Sequence, residues 1–117
     1  MNELGAKGEE LAILYLRTNG FKVLFTNWRY GHKEVDIIAE KNNVLHFVEV
    51  KARSQFYLDE PKLAVVRKKQ NNIIIAADAF MQQRNDGREA SFDIVSIVFY
   101  KNHHELEFIE NAFEPNF

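Results

Sequence analysis

Asp36, Glu49 and Lys51 have the types and spacing to hold a metal ion beside a reacting phosphate. They lie in Glu34-Val35-Asp36-Ile37-Ile38 and Phe47-Val48-Glu49-Val50-Lys51, two apolar runs on either side of Asn42-Asn43. Asn tolerates positive φ, so this pair reads as a tight two-residue turn between strands 34–41 and 44–51. Such a turn sets Lys41 against Val44 and, counting back along both strands, Asp36 against Glu49 and Glu34 against Lys51. Glu49 and Lys51 then share a face, ~7 Å apart, and opposed residues have Cβ atoms about 5 Å apart. Two buried carboxylates at that separation repel by ~3 kcal/mol at an effective dielectric of about 20. Lys51 supplies one counter-charge and a divalent cation would supply the rest. Hard oxygen ligands without Cys or His favour Mg²⁺ or Mn²⁺ over Zn²⁺. Taken alone, a Glu-x-Lys on a strand is commonly a solvated or salt-bridged pair. The apolar flanks and the register set this one apart, and a loop one residue longer would move Asp36 out of register.

The surrounding elements follow from periodicity. Residues 3–19 read as a helix, with Leu4, Leu11, Ala12, Tyr15 and Leu16 on one stripe and Asn19-Gly20 as its stop. Residues 21–29, rich in Phe, Val and Trp, read as a strand. Asp59 as cap and Pro61 near the start open a long helix to about Arg84, with Leu63, Val66, Ile73, Ala77 and Phe80 on its inner face. After the turn Asn85-Asp86-Gly87, the apolar run 92–100 reads as a central strand covered on both faces. Residues 105–110 add an edge strand. The order α-β-β-β-α-β, with a further β at the end, predicts one α/β domain over 1–117: a mixed β-sheet with flanking helices.

Composition narrows the function classes. The chain has no cysteine, which excludes disulfides, thiolate metal sites and a cysteine nucleophile. The N-terminal Met1-Asn2-Glu3 is not the start of a signal peptide, and the longest aliphatic run, Ile73 to Ala77, is far short of a membrane span. A cytoplasmic protein with no membrane partner is expected. The net charge of −2 gives no overall basic footprint, but the charge is polarised. Between Lys51 and Lys69 six basic residues stand against Asp59 and Glu60, whereas His103 to Phe117 holds four acidic residues and no Lys or Arg. This fits either a phosphate-binding side or a solvated helix face. His32, His46, His103 and His104 lack metal-ligand spacing; His46 points away from Glu49 by alternation and reads as structural, and His103-His104 as a solvated turn. Trp28 reads as core.

At the residues around Asp36 and Glu49-Val50-Lys51 the chain resembles the PD-(D/E)XK nuclease superfamily. More closely it is similar to the YraN-like family of small bacterial proteins, related to archaeal Holliday-junction resolvases. The likeness runs through Gly5-Ala6-Lys7-Gly8-Glu9 with Ala12, Asn27-Trp28-Arg29, Phe47 to Arg53, Lys69, Phe92-Asp93-Ile94-Val95 and Asn111-Ala112-Phe113. Lys33, Ser91 and Phe108 depart from it, standing where Gly, Arg and His are usual, and none of these is a presumed metal ligand. The resemblance implies a restriction-endonuclease-like core and an active site of Glu9, Asp36, Glu49 and Lys51. Asp36, Glu49 and Glu9 would hold Mg²⁺ (or Mn²⁺), with the Val50 carbonyl as a further oxygen. Lys51 would orient the attacking water or stabilise charge on phosphate. On its own helix Glu9 shares an edge with Gly5, Ala12 and Leu16; by periodicity alone it is an ordinary exposed Glu. Arg53, Lys69 and Lys62 would track a nucleic-acid backbone, although Lys62 reads better as a solubilising charge. The function implied is metal-dependent phosphodiester hydrolysis of nucleic acid, DNA ahead of RNA and including branched DNA, with a homodimer as partner state. The alternative is a nucleic-acid-binding module that keeps the fold without turnover. A third reading takes the apolar, acidic tail (Phe108, Ile109, Phe113, Phe117) as a surface that docks on another subunit.

Overall fold

The structure, a computed structural model, describes residues 3–57 and 66–115. The expected Asp59 cap, the Pro61 helix start, Lys62, Leu63 and Phe117 lie outside the described residues. Helix α1 (Glu3–Thr18) ends at Gly20, whose φ of +86° needs a residue without Cβ. Strands β1 (Lys22–Tyr30), β2 (Lys33–Lys41) and β3 (Val44–Ser54) follow, then a short 3₁₀ turn, Gln55–Tyr57. Helix α2 (Arg67–Gln83) leads to β4 (Glu89–Phe99) and β5 (His104–Ile109). The five strands form one sheet in chain order, with β4 parallel to β3 and every other pair antiparallel. This is the expected mixed α/β sheet.

Asn42 and Asn43 have φ of 52° and 64°, as a two-residue turn between twisted strands requires. The turn fixes the register, and Lys41↔Val44 through Ile37↔Val48 pair as its length predicts. Among the described residues each face of the sheet carries one helix. Ala12 and Leu16 of α1 pack with Ile37, Ala39, Val48, Val95 and Ile97. Ile73, Ala77 and Phe80 of α2 pack with Val35, Ile38, Phe47, Phe92 and Ile94. Both layers bury near-continuous apolar runs of β3 and β4, which is why those strands do not alternate in polarity. Among the described residues no helix is long and apolar enough to cross a membrane.

Two expectations are corrected. Helix α2 begins at Arg67, because Val66 is extended (φ −61°, ψ 151°). Val66 is 68% exposed and does not reach the inner face. The first turn, Arg67-Lys68-Lys69, opposes the helix dipole, so burial of Ile73 and its neighbours holds this helix and local preference does not. The tail is also placed differently. Phe113 is buried and stacks on Phe92, and Phe108 meets Phe21 edge-on. These rings complete the chain's own core, so they are not a free docking surface.

His46 is buried on the α1 side, away from Glu49. Its Nδ1 lies 2.6 Å from Asp93 Oδ2. Asp93 Oδ1 accepts from the Ser91 hydroxyl at 2.6 Å and from the Asn111 amide N–H at 3.0 Å. One fully buried carboxylate therefore ties β3, β4 and the turn after β5 together.

Gly8 sits where α1 touches β3. A Cβ there would come 2.7 Å from the Ala52 Cβ. Neither methyl can swing aside, so Gly8→Ala must push the helix outward. We expect a net loss of about 1–2 kcal/mol in urea denaturation, overpacking outweighing the ~1 kcal/mol gain in helix propensity. Ala52→Gly in the same chain should recover part of it. A Gly8→Ala variant as stable as the parent would show that the contact is not tight.

Candidate active site

The site lies where β2 leaves β3. Their ladder stops at Ile37↔Val48, one step before Asp36 and Glu49 would be opposed. The neighbouring ladder is broken at the same level: Thr26 pairs with Ile37 and Trp28 with Val35, but Asn27 and Asp36 are skipped. Asn27 takes φ +51°, which Asn tolerates better than most residues. Facing slips there too. Ile37 belongs to the α1-side core and Val35, two residues away, to the α2-side core. The Val50 N–H, which an unbroken hairpin would give to the Val35 carbonyl, donates instead to Asp36 Oδ2 at 2.8 Å. The Asp36 side chain thus stands in for main chain and holds the two strands apart. The directly opposed Asp36–Glu49 ladder pair does not form, and the two acids meet in the gap instead.

Glu49 is only 4% exposed. Burial, and then the charge of Asp36, push its carboxyl up to about 7, against the pull of Lys69. Asp36 stands close enough to Glu49 for its charge to disfavour ionisation of the Glu49 carboxyl, a strain that a proton or a cation would relieve. Lys69 Nζ lies 2.5 Å from Glu49 Oε1. Burial works to lower the Lys69 pKa, but the contact with Glu49 and the charges of Glu49, Asp36 and Glu34 raise it above its ordinary value. The ammonium therefore stays charged and partly neutralises the acid pair.

The gap between the strands is open to both layers. From α1, half-buried Glu9 accepts a hydrogen bond from Asn27 Nδ2 at 2.8 Å. Burial raises the Glu9 pKa, the Asn27 bond opposes this, and the charges of Asp36 and Glu34 add to the rise. From the other side come Lys69 and Lys51. The register of β3 with β4 is unbroken from Val44 to Ser54, and Val48 and Val50 pack toward α1. Glu49 and Lys51 therefore both face α2. The tight contact at Gly8 brings the next residue, Glu9, down over the sheet edge.

The structure thus gathers Asp36, Glu49 and Lys69 in direct contact, with Glu9 close enough to feel Asp36 and Lys51 two residues along β3. Arg53 lies further along the same face, half-buried at the end of β3. Lys69, expected to track phosphate, turns inward to Glu49. Asn27 and Glu34 are neighbours that the sequence reading did not assign. An Asn inside an aromatic strand was a legible signal, because Asn is depleted in strands. The Lys69 contact was not legible, because it depends on how α2 crosses the sheet.

The donor set suits a hard divalent ion. Among the described residues no three His, Asp or Glu side chains form a ready-made cage. Mg²⁺ needs none, since it commonly takes one or two carboxylates and completes its shell with water and substrate oxygens. Asp36 and Glu49 would be those carboxylates.

Comparison with known proteins gives the same extent of likeness as the motifs. A relative from Parabacteroides distasonis, described as a UPF0102 protein, is 42% identical over 112 residues, covering 96% of this chain and 93% of its own. UPF0102 proteins of Geobacter metallireducens and Bacteroides thetaiotaomicron are 41% and 39% identical, covering 95% and 97% of this chain and 92% and 94% of theirs. Residues 8–97, which hold most of α1, the hairpin and most of β4, match the family described as "Uncharacterised protein family UPF0102". The chain belongs to that family.

Proposed function

We propose that the protein is a divalent-metal-dependent nuclease of the PD-(D/E)XK type, with a restriction-endonuclease-like core, hydrolysing phosphodiesters in nucleic acid. One observation carries the reading: Glu49, almost wholly buried, is forced against Asp36 in a gap between strands. A merely structural acid would be placed where its charge is satisfied. Here burial and Asp36 hold the Glu49 carboxyl up to about 7 even with Lys69 seated on it, so a divalent cation between the two acids would relieve the strain.

In this reading Asp36 and Glu49 would hold Mg²⁺ or Mn²⁺. A bound ion would supply a water of lowered pKa and offset charge on the scissile phosphate. The Val50 N–H fixes one oxygen of Asp36, so that carboxylate is oriented before any ligand arrives. Lys51, on the same face as Glu49, stabilises charge developing on the phosphate. Glu9, held by Asn27, completes the polar wall opposite and takes up a proton or positions a water. Lys69 is the counter-charge seated on Glu49, and it would be free to contact phosphate if a divalent ion took its place.

The Lys69–Glu49 contact also favours a second reading, a binding module in which the lysine permanently neutralises the acid pair. The two are separated by incubating the protein with Mg²⁺ or Mn²⁺ and duplex, single-stranded and branched DNA, and RNA. We expect hydrolysis that Glu49→Gln and Lys51→Ala each reduce on the order of 100-fold or more. Binding without cleavage of any substrate would favour the module.

A further inference from the structure

We propose that a cleft opening on this acidic centre, between the β1–β2 turn and the first turns of α2, binds the phosphodiester backbone beside the cleaved bond, with Lys33 and Lys68 as its phosphate contacts. The inference rests on the function proposed above and extends it to how the substrate lies. The cleft has a volume of about 360 Å³, with His32, Lys33 and Glu34 on one wall and Lys68, Lys69 and Asn72 on the other.

Its charge decides what it takes. Glu34 is paired with Arg29 at 2.8 Å, and Lys69 with Glu49. Neither the Lys33 nor the Lys68 side chain has an ion-pair or hydrogen-bond partner among the described residues. Two ammonium groups without an ion-pair partner among the described residues thus line one concave site, next to Glu34 and Lys69, whose charges are coupled to the acidic centre. The start of α2 lies in the same wall with no side-chain cap, so its dipole adds to the positive field.

The lining also says which part of a nucleic acid is contacted. Apart from the His32 imidazole it offers no aromatic ring for a base to stack on, and its remaining surface is apolar Val66 and Ile73. Ammonium groups on such a wall suit phosphate oxygens and carry no base code. The cleft at the other end of the sheet differs. Glu89 and Glu110 line it, and its Lys41 ammonium already donates to the Asn19 carbonyl at 2.7 Å.

The test is fluorescence anisotropy with labelled 20-nucleotide DNA in EDTA, so that binding is read apart from cleavage. The full chain is compared with the Lys33→Ala/Lys68→Ala double variant and with Lys101→Ala, an exposed lysine in the β4–β5 turn. The double variant should bind roughly tenfold more weakly, equally for unrelated sequences, with the slope of log affinity against log salt reduced by about 2. Lys101→Ala should change little. Parent-like affinity and slope in a double variant with a parent-like melting curve would overturn the proposal. So would a loss confined to one sequence, or no binding by the parent chain. If the lysines govern binding but no metal supports cleavage, the hydrolase reading fails and the cleft stands. If cleavage occurs and the double variant binds normally, the cleft fails and the hydrolase stands.

Discussion

Glu49→Gln is expected to make the protein more stable at about pH 8, by on the order of 3 kcal/mol, while abolishing the proposed metal-dependent cleavage. The sign follows from where the proton sits. In the unfolded chain the carboxyl titrates near its ordinary 4.5; in the fold, burial and Asp36 raise it to about 7. Between those values the folded state keeps a proton that the unfolded state has lost, so stability falls as pH rises. Below about pH 4.5 both states are protonated and the penalty vanishes. Gln imitates the neutral acid at every pH. Urea midpoints measured from pH 5 to 8 should therefore diverge, with the parent losing stability and Glu49→Gln not following it. Parallel curves would show that Glu49 is not strained by its surroundings. A divalent ion should close the difference by stabilising the parent alone, since binding to the folded state adds to its stability.

The other large effect concerns a residue with no part in the proposed chemistry. Asp93→Ala should cost about 3 kcal/mol or more, because it strands several polar partners at ~1–3 kcal/mol each. The carboxylate is fully buried and is bonded to His46, the Ser91 hydroxyl and the Asn111 N–H. Its loss leaves the buried His46 and Ser91 side chains and the part-buried Asn111 N–H without that partner, and unsatisfied buried groups carry their full desolvation cost. Chemical denaturation reads the effect directly. A change under about 1 kcal/mol would mean that water replaces the carboxylate readily.

The two cases show what the sequence made legible. The hairpin was readable because turn length, positive-φ residues and period-2 alternation are local, and together they fix register. That brought Asp36 and Glu49 to the same place on paper. The slip at Asn27 and Asp36, which turns an opposed ladder pair into two acids in a gap, depends on a side chain competing with main chain for the Val50 N–H, and no periodicity encodes that. His46 was placed on the correct side of β3 by alternation, but its partner Asp93 is 47 residues away, on a strand whose pairing with β3 the sequence does not specify. The start of α2 was misplaced because Pro61 is a strong local signal, whereas the extended backbone of Val66 is not signalled locally at all. The inward turn of Lys69 follows from the crossing of α2 over the sheet, so charge counting assigned that lysine to solvent and phosphate.

The most direct measurement is anomalous diffraction from crystals soaked in Mn²⁺ near pH 8. We expect one strong peak bonded to carboxylate oxygens of both Asp36 and Glu49, with the Lys69 ammonium displaced from Glu49. An empty gap with Lys69 still seated on Glu49, at Mn²⁺ concentrations well above those of ordinary metal enzymes, would contradict it.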